Sequence, residues 1–578
     1  MKQLRIALAQ INSTVGDFKG NVRLITENIL KARAAGADLV AFPELAIPGY
    51  PPEDLLLKSS FIDANLRALE EIVTASKGIS VVIGFVDRKE ELYNATAIIH
   101  EGKLASIYHK IYLPNYGVFD EKRYFHPGSS CPIYEISGVN VGISVCEDIW
   151  YDTGPATVQA SGGAEVILNI SASPYHHGKH HFRERMLGAR ATDNVAIVAF
   201  CNLVGGQDEL VFDGGSVIFD EQGNLIARAR QFEEELLIAD LDVESVFHSR
   251  LQDPRWRKEG QQLECDCPTD RIMVSAPRQD SPRAMLPKQI TPLLESDSEV
   301  YKALVLGTRD YILKNGFGGV IIGLSGGVDS SLVAAVAVDA LGPKSVHGLI
   351  MPSRFSAPLS ADYAAKLATN LGIKTFTVPI EKAYTAYLDS LSEVFRDTKP
   401  DVTEENIQAR IRGTLLMALS NKFGWMVLNT GNKSEVATGY TTLYGDMAGG
   451  YAVIKDVPKT LVYRLCRYRN NQAGFDLIPD AVINRVPSAE LRPGQKDTDT
   501  LPEYEVLDPI LLAYVEEDKG VEQIIAQGYE PELVVKVARL VDVSEYKRRQ
   551  APPGIKITPK AFGRDRREPI TSKFREGG

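Results

Sequence analysis

A glycine-rich turn between an apolar strand and a helical run restricts the fold of this chain more than any other feature. The strand reads GGVIIGL and the helical run reads SSLVAAVAVDALG. The turn between them consists of Gly323, Leu324, Ser325, Gly326, Gly327, Val328, Asp329 and Ser330. Adjacent glycines let backbone N–H groups point inward, and the following helix N-terminus adds partial positive charge. The pattern predicts a phosphate-binding loop at the end of a parallel strand.

Strand and helix patterns continue to alternate on the C-terminal side of this turn. The apolar runs SVHGLIMP, KTFTVPI and WMVLNTG are separated from one another by helical sequence. Because parallel strands need crossover helices, this alternation predicts an α/β fold with a doubly wound parallel sheet. We assign this second domain to residues 297–578, ending in a basic, proline-rich tail that is either flexible or covers a site.

The first 245 residues also predict an α/β domain, but of another kind. Short apolar runs such as LRIALA, DLVAFPE, VNVGISVCED and AEVILNIS are separated by helices and hairpins. This mixture favours a sheet with both parallel and antiparallel strands, layered with helices. Residues 246–296 are charged, contain proline and lack periodicity, so we expect an interdomain linker there.

Length and charge limit the class of protein. A chain of 578 residues is long enough for at least two domains. Lys and Arg number 64 against 75 Asp and Glu, and the resulting net charge of −11 excludes a generally basic nucleic-acid binder. No apolar run is long enough for a membrane span or for the core of a signal peptide. We therefore expect neither nucleic acid nor membrane as a partner.

Cysteine usage indicates a reducing compartment. The 6 cysteines are too few and too scattered in so long a chain to form a disulfide framework. The one close pair, Cys265 and Cys267, lacks the second pair that a structural zinc site needs. The expectation is a cytoplasmic enzyme with several domains.

The side chains of the glycine-rich turn suit a nucleotide phosphate. Ser325 and Ser330 can donate hydroxyl hydrogen bonds, and Asp329 can hold Mg²⁺ on the phosphates. The turn lacks the lysine of the G-x-x-x-x-G-K-[ST] loop and does not match the dinucleotide fingerprint G-x-G-x-x-G. The alternative interpretation is an ordinary glycine-rich turn between a strand and a helix.

The segment SGGVDS resembles the pyrophosphate loop of the ATP pyrophosphatase superfamily, whose members adenylate an oxygen and release pyrophosphate. Residues 299–550 are similar to the NAD synthetases of that superfamily in further motifs, namely ENIQARIRG, TGNKSE, YGDMAGG, KDVPKTLVY and LRPGQKDTDTLPEYEVLD. The resemblance implies an adenine nucleotide α-hydrolase-like fold for this domain. It also implies ATP and deamido-NAD (nicotinate adenine dinucleotide) as substrates.

The same resemblance implies site residues, position by position. Thr430 would contact ATP together with the glycine-rich turn, and Asp329 and Glu435 would hold Mg²⁺. Asn406, Glu435 and Lys547 would contact deamido-NAD. Taken singly, Asn406 and Lys547 are more typical of surface polar groups, and only the surrounding motifs favour a binding role.

Three chemically matched residues follow apolar strands in the first domain. Glu44 ends DLVAFPE, Lys110 follows a strand in YHKIYLPNYGVFDE, and Cys146 directly follows VNVGISV. Polar residues at strand ends can meet at one edge of a sheet. There a thiolate can attack an amide, a carboxylate can move the protons and a lysine can stabilise the oxyanion. The alternative is a small buried cysteine and two solvated charges.

Together these segments resemble the nitrilase (carbon–nitrogen hydrolase) superfamily over residues 1–245, with its α-β-β-α sandwich fold. The resemblance implies that Glu44, Lys110 and Cys146 form the catalytic triad. It further implies that Tyr116, Ser173 and Lys179 bind glutamine. The histidine-rich run SPYHHGKHH next to them also allows a metal site, although it lacks carboxylate or cysteine ligands.

A nitrilase-like domain ahead of an NAD synthetase-like domain is similar to the layout of the glutamine-dependent NAD synthetases. This implies ATP-dependent amidation of deamido-NAD with ammonia from L-glutamine, with ammonia as an alternative donor, and a homo-oligomer. Two other classes stay open: an RNA-modifying thiolase with the same ATP loop, and a non-catalytic scaffold. The acidic charge and the single cysteine of the second half, Cys466, disfavour the thiolase, and the complete triad disfavours the scaffold.

Overall fold

The computed structural model describes residues 2–254, 256, 269–277, 284–574 and 576. The chain forms two compact units, Met1–Gln207 with Val211–Leu294, and Asp208–Leu210 with Glu295–Gly578. The pair Cys265 and Cys267 lies outside the described residues. In the part of the chain that the structure describes, no helix has the length and apolar character needed to cross a bilayer.

The strands up to residue 273 are β1 (Gln3–Gln10), β2 (Leu39–Ala41), β3 (Ser80–Arg88), β4 (Leu92–His100), β5 (Lys103–His109), β6 (Ile133–Ile136), β7 (Val139–Val145), β8 (Val166–Ser171), β9 (Ile197–Asn202), β10 (Val204–Gln207), β11 (Leu210–Asp213), β12 (Val217–Phe219), β13 (Leu225–Arg228), β14 (Glu235–Asp242) and β15 (Arg271–Met273). Among the described residues they form a sheet of order β14-β1-β2-β3-β4-β5, a second of order β13-β12-β9-β8-β7-β6-β15, and the pair β10-β11. The helices are α1 (Phe18–Ala34), α2 (Ser59–Ala75), α3 (Pro155–Ser161), α4 (Lys179–Asn194) and α5 (Glu244–Gln252).

The first unit is a four-layer α-β-β-α sandwich, as the resemblance to the nitrilase superfamily implies. Along β1, Ile6 and Leu8 belong to the apolar core between the two sheets, whereas Ala7 and Ala9 face the core under α1 and α2. This alternation follows from the two-residue period of a strand. A third apolar core packs α3 and α4 on the outer face of the second sheet. Because β1 is buried on both faces, it reads in the sequence as an apolar run.

The segment expected to be a linker is placed differently by the structure. Residues up to Leu294 group with the first unit, and α5 lies within residues 246–296 apart from its first two positions. Strand β15 pairs in parallel with β6 at the edge of the second sheet. The described part of this segment therefore contributes structure to the first unit. Its three-residue strand is too short to show the periodicity that predicts a strand.

The second unit contains five strands among its described residues, β16 (Val320–Gly323), β17 (Val346–Ile350), β18 (Lys374–Thr377), β19 (Met426–Asn429) and β20 (Tyr451–Ala452). Its helices are α6 (Ser296–Lys314), α7 (Val328–Leu341), α8 (Pro358–Leu371), α9 (Glu381–Leu391), α10 (Val402–Phe423), α11 (Lys433–Thr438), α12 (Lys459–Ala473), α13 (Asp480–Ile483), α14 (Tyr504–Leu511), α15 (Val521–Ile525), α16 (Pro531–Val543) and α17 (Glu545–Arg548).

These strands form the doubly wound parallel sheet that the sequence predicts. Their order is β18-β17-β16-β19-β20, and every neighbouring pair is parallel. The order changes direction at β16, the strand that precedes the glycine-rich turn. In such sheets ligands bind beyond the carboxyl ends of the strands at this switch point.

The C-terminal tail packs against the second unit over residues 551–566, which favours the site-covering alternative over the flexible one. Ile555 and Ile557 are buried, and Gly554 forms a parallel bridge with Ala452 beside β20. Asp456 accepts hydrogen bonds from the backbone N–H groups of Ile557 and Thr558 at 2.8 and 2.7 Å. Basic, proline-rich composition concealed this packing because the apolar residues of the tail are few and isolated.

Candidate active sites

A fully buried ion pair lies at the edge of the first unit's sandwich. Glu44 follows β2 and Lys110 follows β5, and the Lys110 ammonium donates to Glu44 Oε1 at 2.7 Å with both side chains 0% exposed. Glu44 Oε2 accepts from the backbone N–H of Ala172, which follows β8, at 3.0 Å. The structure therefore brings together two of the three residues that the sequence predicts to be catalytic.

A second carboxylate, to which sequence reasoning gave no role, completes this cluster. Glu121 accepts from the Lys110 ammonium at 2.9 Å and from the Tyr50 hydroxyl at 3.1 Å. Asn94 donates to Glu44 Oε1 at 2.7 Å. Burial raises the pKa of Glu121 to about 7, with Lys110 opposing the shift. Glu121 ends the motif YHKIYLPNYGVFDE, 11 residues after Lys110, and its membership of that motif was the sequence signal that could have found it.

Cys146 stands on a strained turn directly after β7. Its φ of 44° lies in the left-handed region, which a residue with a side chain adopts only when the surrounding structure imposes it. The side chain is 3% exposed, and burial followed by the charge of Glu44 raises the pKa of the thiol. Lys110 opposes that shift. The charges of Glu44 and Lys110 thus both reach Cys146, and the thiol is neutral at pH 7.

Asp148 ties the turn that carries Cys146 to the segment that carries Lys110. Its side chain is 0% exposed and accepts from the Val145 N–H at 3.0 Å. It also accepts from the N–H groups of Ile111 and Tyr112 at 3.1 and 2.8 Å. One buried carboxylate therefore holds the residue before the cysteine and the two residues after the lysine.

The residues predicted to bind glutamine lie around the same edge. The Tyr116 hydroxyl donates to both oxygens of Glu147 at 3.0 Å, and Lys179 is close enough to lower the pKa of that carboxyl, which burial raises. Ser173 follows Ala172 and is 2% exposed, its N–H held by Asn202 at 3.0 Å. Glu147 is a polar residue between these side chains to which sequence reasoning gave no role.

The structure shows no metal cluster at the histidine-rich run. His180 and His181 lie in the first turn of α4, with ring centroids 4.0 Å apart. Within residues 2–254, 256, 269–277, 284–574 and 576, no group of three or more His, Cys, Asp and Glu side chains is arranged to hold a metal ion.

The glycine-rich turn of the second unit has the local structure of a phosphate loop. Gly326 has a φ of 78°, and a Cβ there would lie 2.3 Å from the backbone oxygen of Ser360, so only glycine fits. Ser325 Oγ accepts from the Gly327 N–H at 3.2 Å and lies 3.2 Å from Ser330 Oγ. The last three residues of the turn, from Val328 on, already form the start of helix α7, whose N-terminal N–H groups and dipole point at the turn.

This turn forms one wall of a cavity of about 320 Å³. From the predicted ATP residues, the cavity wall contains Gly323, Leu324, Ser325, Gly327, Val328, Asp329, Ser330 and Thr430. Gly326 is not part of the wall because it packs against Ser360. The tail residues Ala551 and Pro552 also line the cavity, which places the start of the tail at the site.

Asp329 and Glu435 meet at the ammonium of Lys459 inside this cavity. Lys459 donates to Asp329 and lies 3.7 Å from Glu435 Oε1. Asn432, the N-cap of α11, donates to Asp329 Oδ1 at 3.0 Å. Burial, then repulsion from Asp329, raises the pKa of Glu435 to about 8, although Lys459 lowers it. Lys459 belongs to the motif KDVPKTLVY, but its role could not be predicted from the sequence.

Asn406 and Lys547 are not part of the cavity wall. Asn406 Oδ1 accepts from the Thr442 hydroxyl at 2.7 Å. The Lys547 ammonium donates to the backbone oxygens of Gly439 and Thr441 at 2.7 and 2.8 Å. Both side chains hold the loop 439–442, and the cavity wall includes Tyr440 and Thr441 of that loop.

Comparison with known protein families assigns each unit. The Carbon-nitrogen hydrolase family model matches residues 5–250, and the NAD synthase family model matches residues 300–551. The first match includes all the residues of the Glu44–Lys110–Cys146 cluster. The second includes the glycine-rich turn and ends at Ala551, where the packed part of the tail begins.

Curated relatives match this chain along its whole length. A glutamine-dependent NAD(+) synthetase of Thermotoga maritima is 48% identical over 100% of both chains. One from Aquifex aeolicus is 48% identical over 99% of this chain and 100% of its own. The chain belongs to the glutamine-dependent NAD(+) synthetase family. Members of this family are ligases that combine a glutaminase domain with a synthetase domain.

A solved structure agrees with this assignment to the glutamine-dependent NAD(+) synthetases. The glutamine-dependent NAD+ synthetase of Acinetobacter baumannii, in complex with adenosine diphosphate, is 40% identical and matches with a TM-score of 0.75 over 98% of each chain. The expected family and the α/β fold of both domains are thereby confirmed. The RNA-modifying thiolase is excluded as the family of this chain.

Proposed function

We propose that the two sites described above divide the ATP-dependent amidation of deamido-NAD between them, using nitrogen from L-glutamine. The cluster of Glu44, Lys110 and Cys146 hydrolyses glutamine, and the cavity beside the glycine-rich turn joins the ammonia to deamido-NAD. The observation that supports this most directly is the 2.7 Å buried pair of Lys110 and Glu44 beside a cysteine on a strained turn. Burying such a pair costs folding free energy, because both charges lose their hydration. Charged groups buried in this way cluster at functional sites.

In the glutaminase step Glu44 accepts the proton of the neutral Cys146 thiol as the sulfur attacks the side-chain amide carbon of glutamine. The raised pKa of the thiol makes this base necessary, since little thiolate exists at pH 7. Lys110 stabilises the oxyanion of the tetrahedral intermediate. Glu44 returns the proton to the departing ammonia, and a water that it then activates hydrolyses the thioester to glutamate.

Tyr116, Ser173 and Lys179 bind the glutamine in this scheme. Tyr116 is 58% exposed and can close over a substrate from the rim, whereas Ser173 is buried beside the base. Glu147, which Tyr116 holds at 3.0 Å, offers a negative charge for the α-ammonium group of glutamine. An amino acid carries both charges of a zwitterion, and Lys179 supplies the charge for its carboxylate.

In the ligase step the nicotinate carboxylate of deamido-NAD attacks the α-phosphate of ATP, and a mixed anhydride and pyrophosphate form. Backbone N–H groups of residues 323–330, the N-terminus of α7 and the Lys459 ammonium stabilise the departing pyrophosphate. Ammonia then displaces AMP and NAD forms. Thr430 follows β19 in the cavity wall, where it can contact the nucleotide.

Asp329 and Glu435 fit a divalent cation by their chemistry. Their repulsion, seen in the raised pKa of Glu435, is the kind that Mg²⁺ relieves, and hard carboxylate oxygens are its preferred ligands. Two carboxylates with phosphate oxygens and water would complete its coordination. Bound there, Mg²⁺ would neutralise charge on the triphosphate.

We further propose that Asn406, Glu435 and Lys547 serve the deamido-NAD side of the cavity. Glu435 lies in the wall, and Asn406 and Lys547 act on the substrate through the loop 439–442 that they hold. We also propose that the protein works in the cytoplasm as a homo-oligomer, by analogy with the family.

A direct assay tests the division of labour. Purified full-length protein with deamido-NAD and ATP should form NAD with glutamine or with ammonium, and Mg²⁺ removal by a chelator should abolish both reactions. Replacing deamido-NAD by nicotinate mononucleotide should strongly reduce AMP formation if the adenosine half is recognised. Equal rates with both acids would refute the assignment of Asn406, Glu435 and Lys547. Glutamate release without any NAD would refute the ligase assignment.

A further inference from the structure

Strand β8 ends beside the turn that carries Cys146. Strands β7 and β8 are parallel and pair Val145 with Ile170, so Cys146 and Ser171 are the next residues along the two strands. Residues two apart on a strand share a face, so Asn169 and Ser171 point to the same side of β8. Asn169 Nδ2 lies 3.4 Å from the backbone oxygen of Cys146. Ser171 is therefore on the face of β8 that meets the cysteine.

The hydroxyl of Ser171 is buried without another partner. The residue is 0% exposed, and Ser171 Oγ forms no hydrogen bond with any of the described residues. A buried hydroxyl with no partner costs free energy, so its position calls for a functional explanation. Burial and the charge of Glu44 raise the pKa of Cys146, whereas Lys110 and the Ser171 hydroxyl lower it.

We propose that Ser171 is a further catalytic residue of the glutaminase site, donating its hydroxyl hydrogen bond to the Cys146 sulfur; this rests on the proposed glutaminase function. As the sulfur–carbon bond forms, the thiol proton passes to Glu44 and the carbonyl electron pair moves to the oxygen. Ser171 keeps its own proton throughout. Its O–H stabilises negative charge on sulfur before the attack and again when the thioester bond breaks.

This hydrogen bond acts among three charged side chains that also face the sulfur. Glu44 and Glu121 disfavour the thiolate, and Lys110 favours it. Removing the hydroxyl of Ser171 leaves all three charges in place. A change in the pH midpoint of Cys146 alkylation therefore reports the effect of the Ser171 hydroxyl itself.

The test compares Ser171→Ala with wild type in the full-length protein. Alkylation of Cys146 by iodoacetamide is followed at increasing pH by mass spectrometry of the Cys146 peptide. We expect the midpoint to rise by roughly half to one pH unit and the glutaminase kcat to fall roughly tenfold, with the KM for glutamine unchanged. Ammonium-dependent NAD synthesis and the melting temperature should not change, since the hydroxyl has no other partner.

Ser76→Ala is the matched control. Ser76 is equally buried in the same unit, and its hydroxyl donates to the Val73 backbone oxygen at 2.7 Å at the end of α2. It should leave the alkylation midpoint at its wild-type value. Ser171→Thr retains the hydroxyl and should preserve more kcat than Ser171→Ala.

Three outcomes would overturn the proposal: an unchanged alkylation midpoint in Ser171→Ala, a change in KM alone, or a Thr variant as slow as the Ala variant. If Ser171→Ala fails to fold, the alkylation midpoint of Ser171→Thr is compared with that of wild type instead. Wild-type protein that uses ammonium but releases no glutamate would refute the proposed glutaminase function instead. The alkylation measurement would then still decide whether Ser171 contacts the sulfur.

Discussion

Lys110 and Glu44, 66 positions apart in the chain, form an ion pair of 2.7 Å in which neither side chain contacts solvent. Burial by itself lowers the pKa of Lys110, but Glu121 and Glu44 together raise it well above its ordinary value. The two carboxylates therefore stabilise the charged form of the ammonium. Such a fixed positive charge is suited to stabilising an oxyanion.

Replacing Lys110 by Met removes that charge and leaves two buried carboxylates facing each other. We expect glutamine-dependent NAD synthesis to disappear and the free energy of unfolding to fall by about 3–5 kcal/mol. Urea unfolding and a glutaminase assay measure the two effects. Lys122→Met, at an exposed position nearby, should change neither. Glutamine turnover within threefold of wild type would exclude Lys110 from the oxyanion site.

Cys146→Ala should separate the two activities. Glutamine-supported NAD synthesis should be lost, while ammonium-supported synthesis survives and improves as the pH rises, because only free ammonia attacks the adenylate. The stability cost should be at most about 1–2 kcal/mol. Cys201→Ala is the control for a buried cysteine elsewhere in this unit. If a folded Cys146→Ala protein loses both activities, the cysteine serves the synthetase and the two-site scheme fails.

Asp148→Asn should impair glutamine hydrolysis, although Asp148 acts by holding the backbone and not by contacting the substrate. An amide has one acceptor oxygen, so its NH2 group would face either the N–H groups of Ile111 and Tyr112 or the N–H group of Val145. We expect the glutaminase kcat to fall roughly 10- to 100-fold with ammonium-dependent synthesis retained. The exposed Asp152→Asn is the control. An unaltered kcat would mean that the turn keeps its shape without this carboxylate.

Asp329→Asn should block adenylation while preserving the fold. The residue is only partly buried, and one of its two donors, Asn432 or Lys459, can still contact the single amide oxygen. Pyrophosphate release from ATP and deamido-NAD should fall at least about 100-fold, with the melting temperature within a few degrees of wild type. Asp362→Asn, exposed on α8, should retain activity. Near-normal pyrophosphate release would refute the role of Asp329.

The raised pKa of Glu435 predicts that the free energy of unfolding depends on pH. Its pKa is raised to about 8 in the folded protein and is near its ordinary value of 4.5 when unfolded. The folded state therefore binds the proton more tightly, and the resulting stability is lost as the pH rises from about 4.5 through 8. Glu435→Gln, which mimics the protonated form, should gain stability over the ligand-free wild type as the pH rises from 6 to 9.

Urea unfolding at pH 6, 7, 8 and 9 measures this difference, and the exposed Glu505→Gln should show none. A gain that is the same at every pH would mean that Glu435 is already ionised at pH 6.

The sequence by itself determined both folds and most of the candidate catalytic groups. Apolar runs with strand and helix periods mark the layers, because burial imposes those periods directly on neighbouring residues. Glu44, Lys110, Cys146 and the turn from Gly323 to Ser330 follow such runs and carry distinctive chemistry. Nothing comparable marks residues 271–273, whose short strand is defined only by pairing with β6.

Only the tertiary structure decided how these groups act on one another. The place of Glu121 beside Lys110, the neutral thiol of Cys146 and the meeting of Asp329 with Glu435 depend on distances between segments far apart in the chain. Asn406 and Lys547 likewise hold the loop 439–442 rather than line the cavity, which no local pattern encodes. Electrostatic and hydrogen-bond energies depend on separation and burial in three dimensions, and neither can be read from the order of residues.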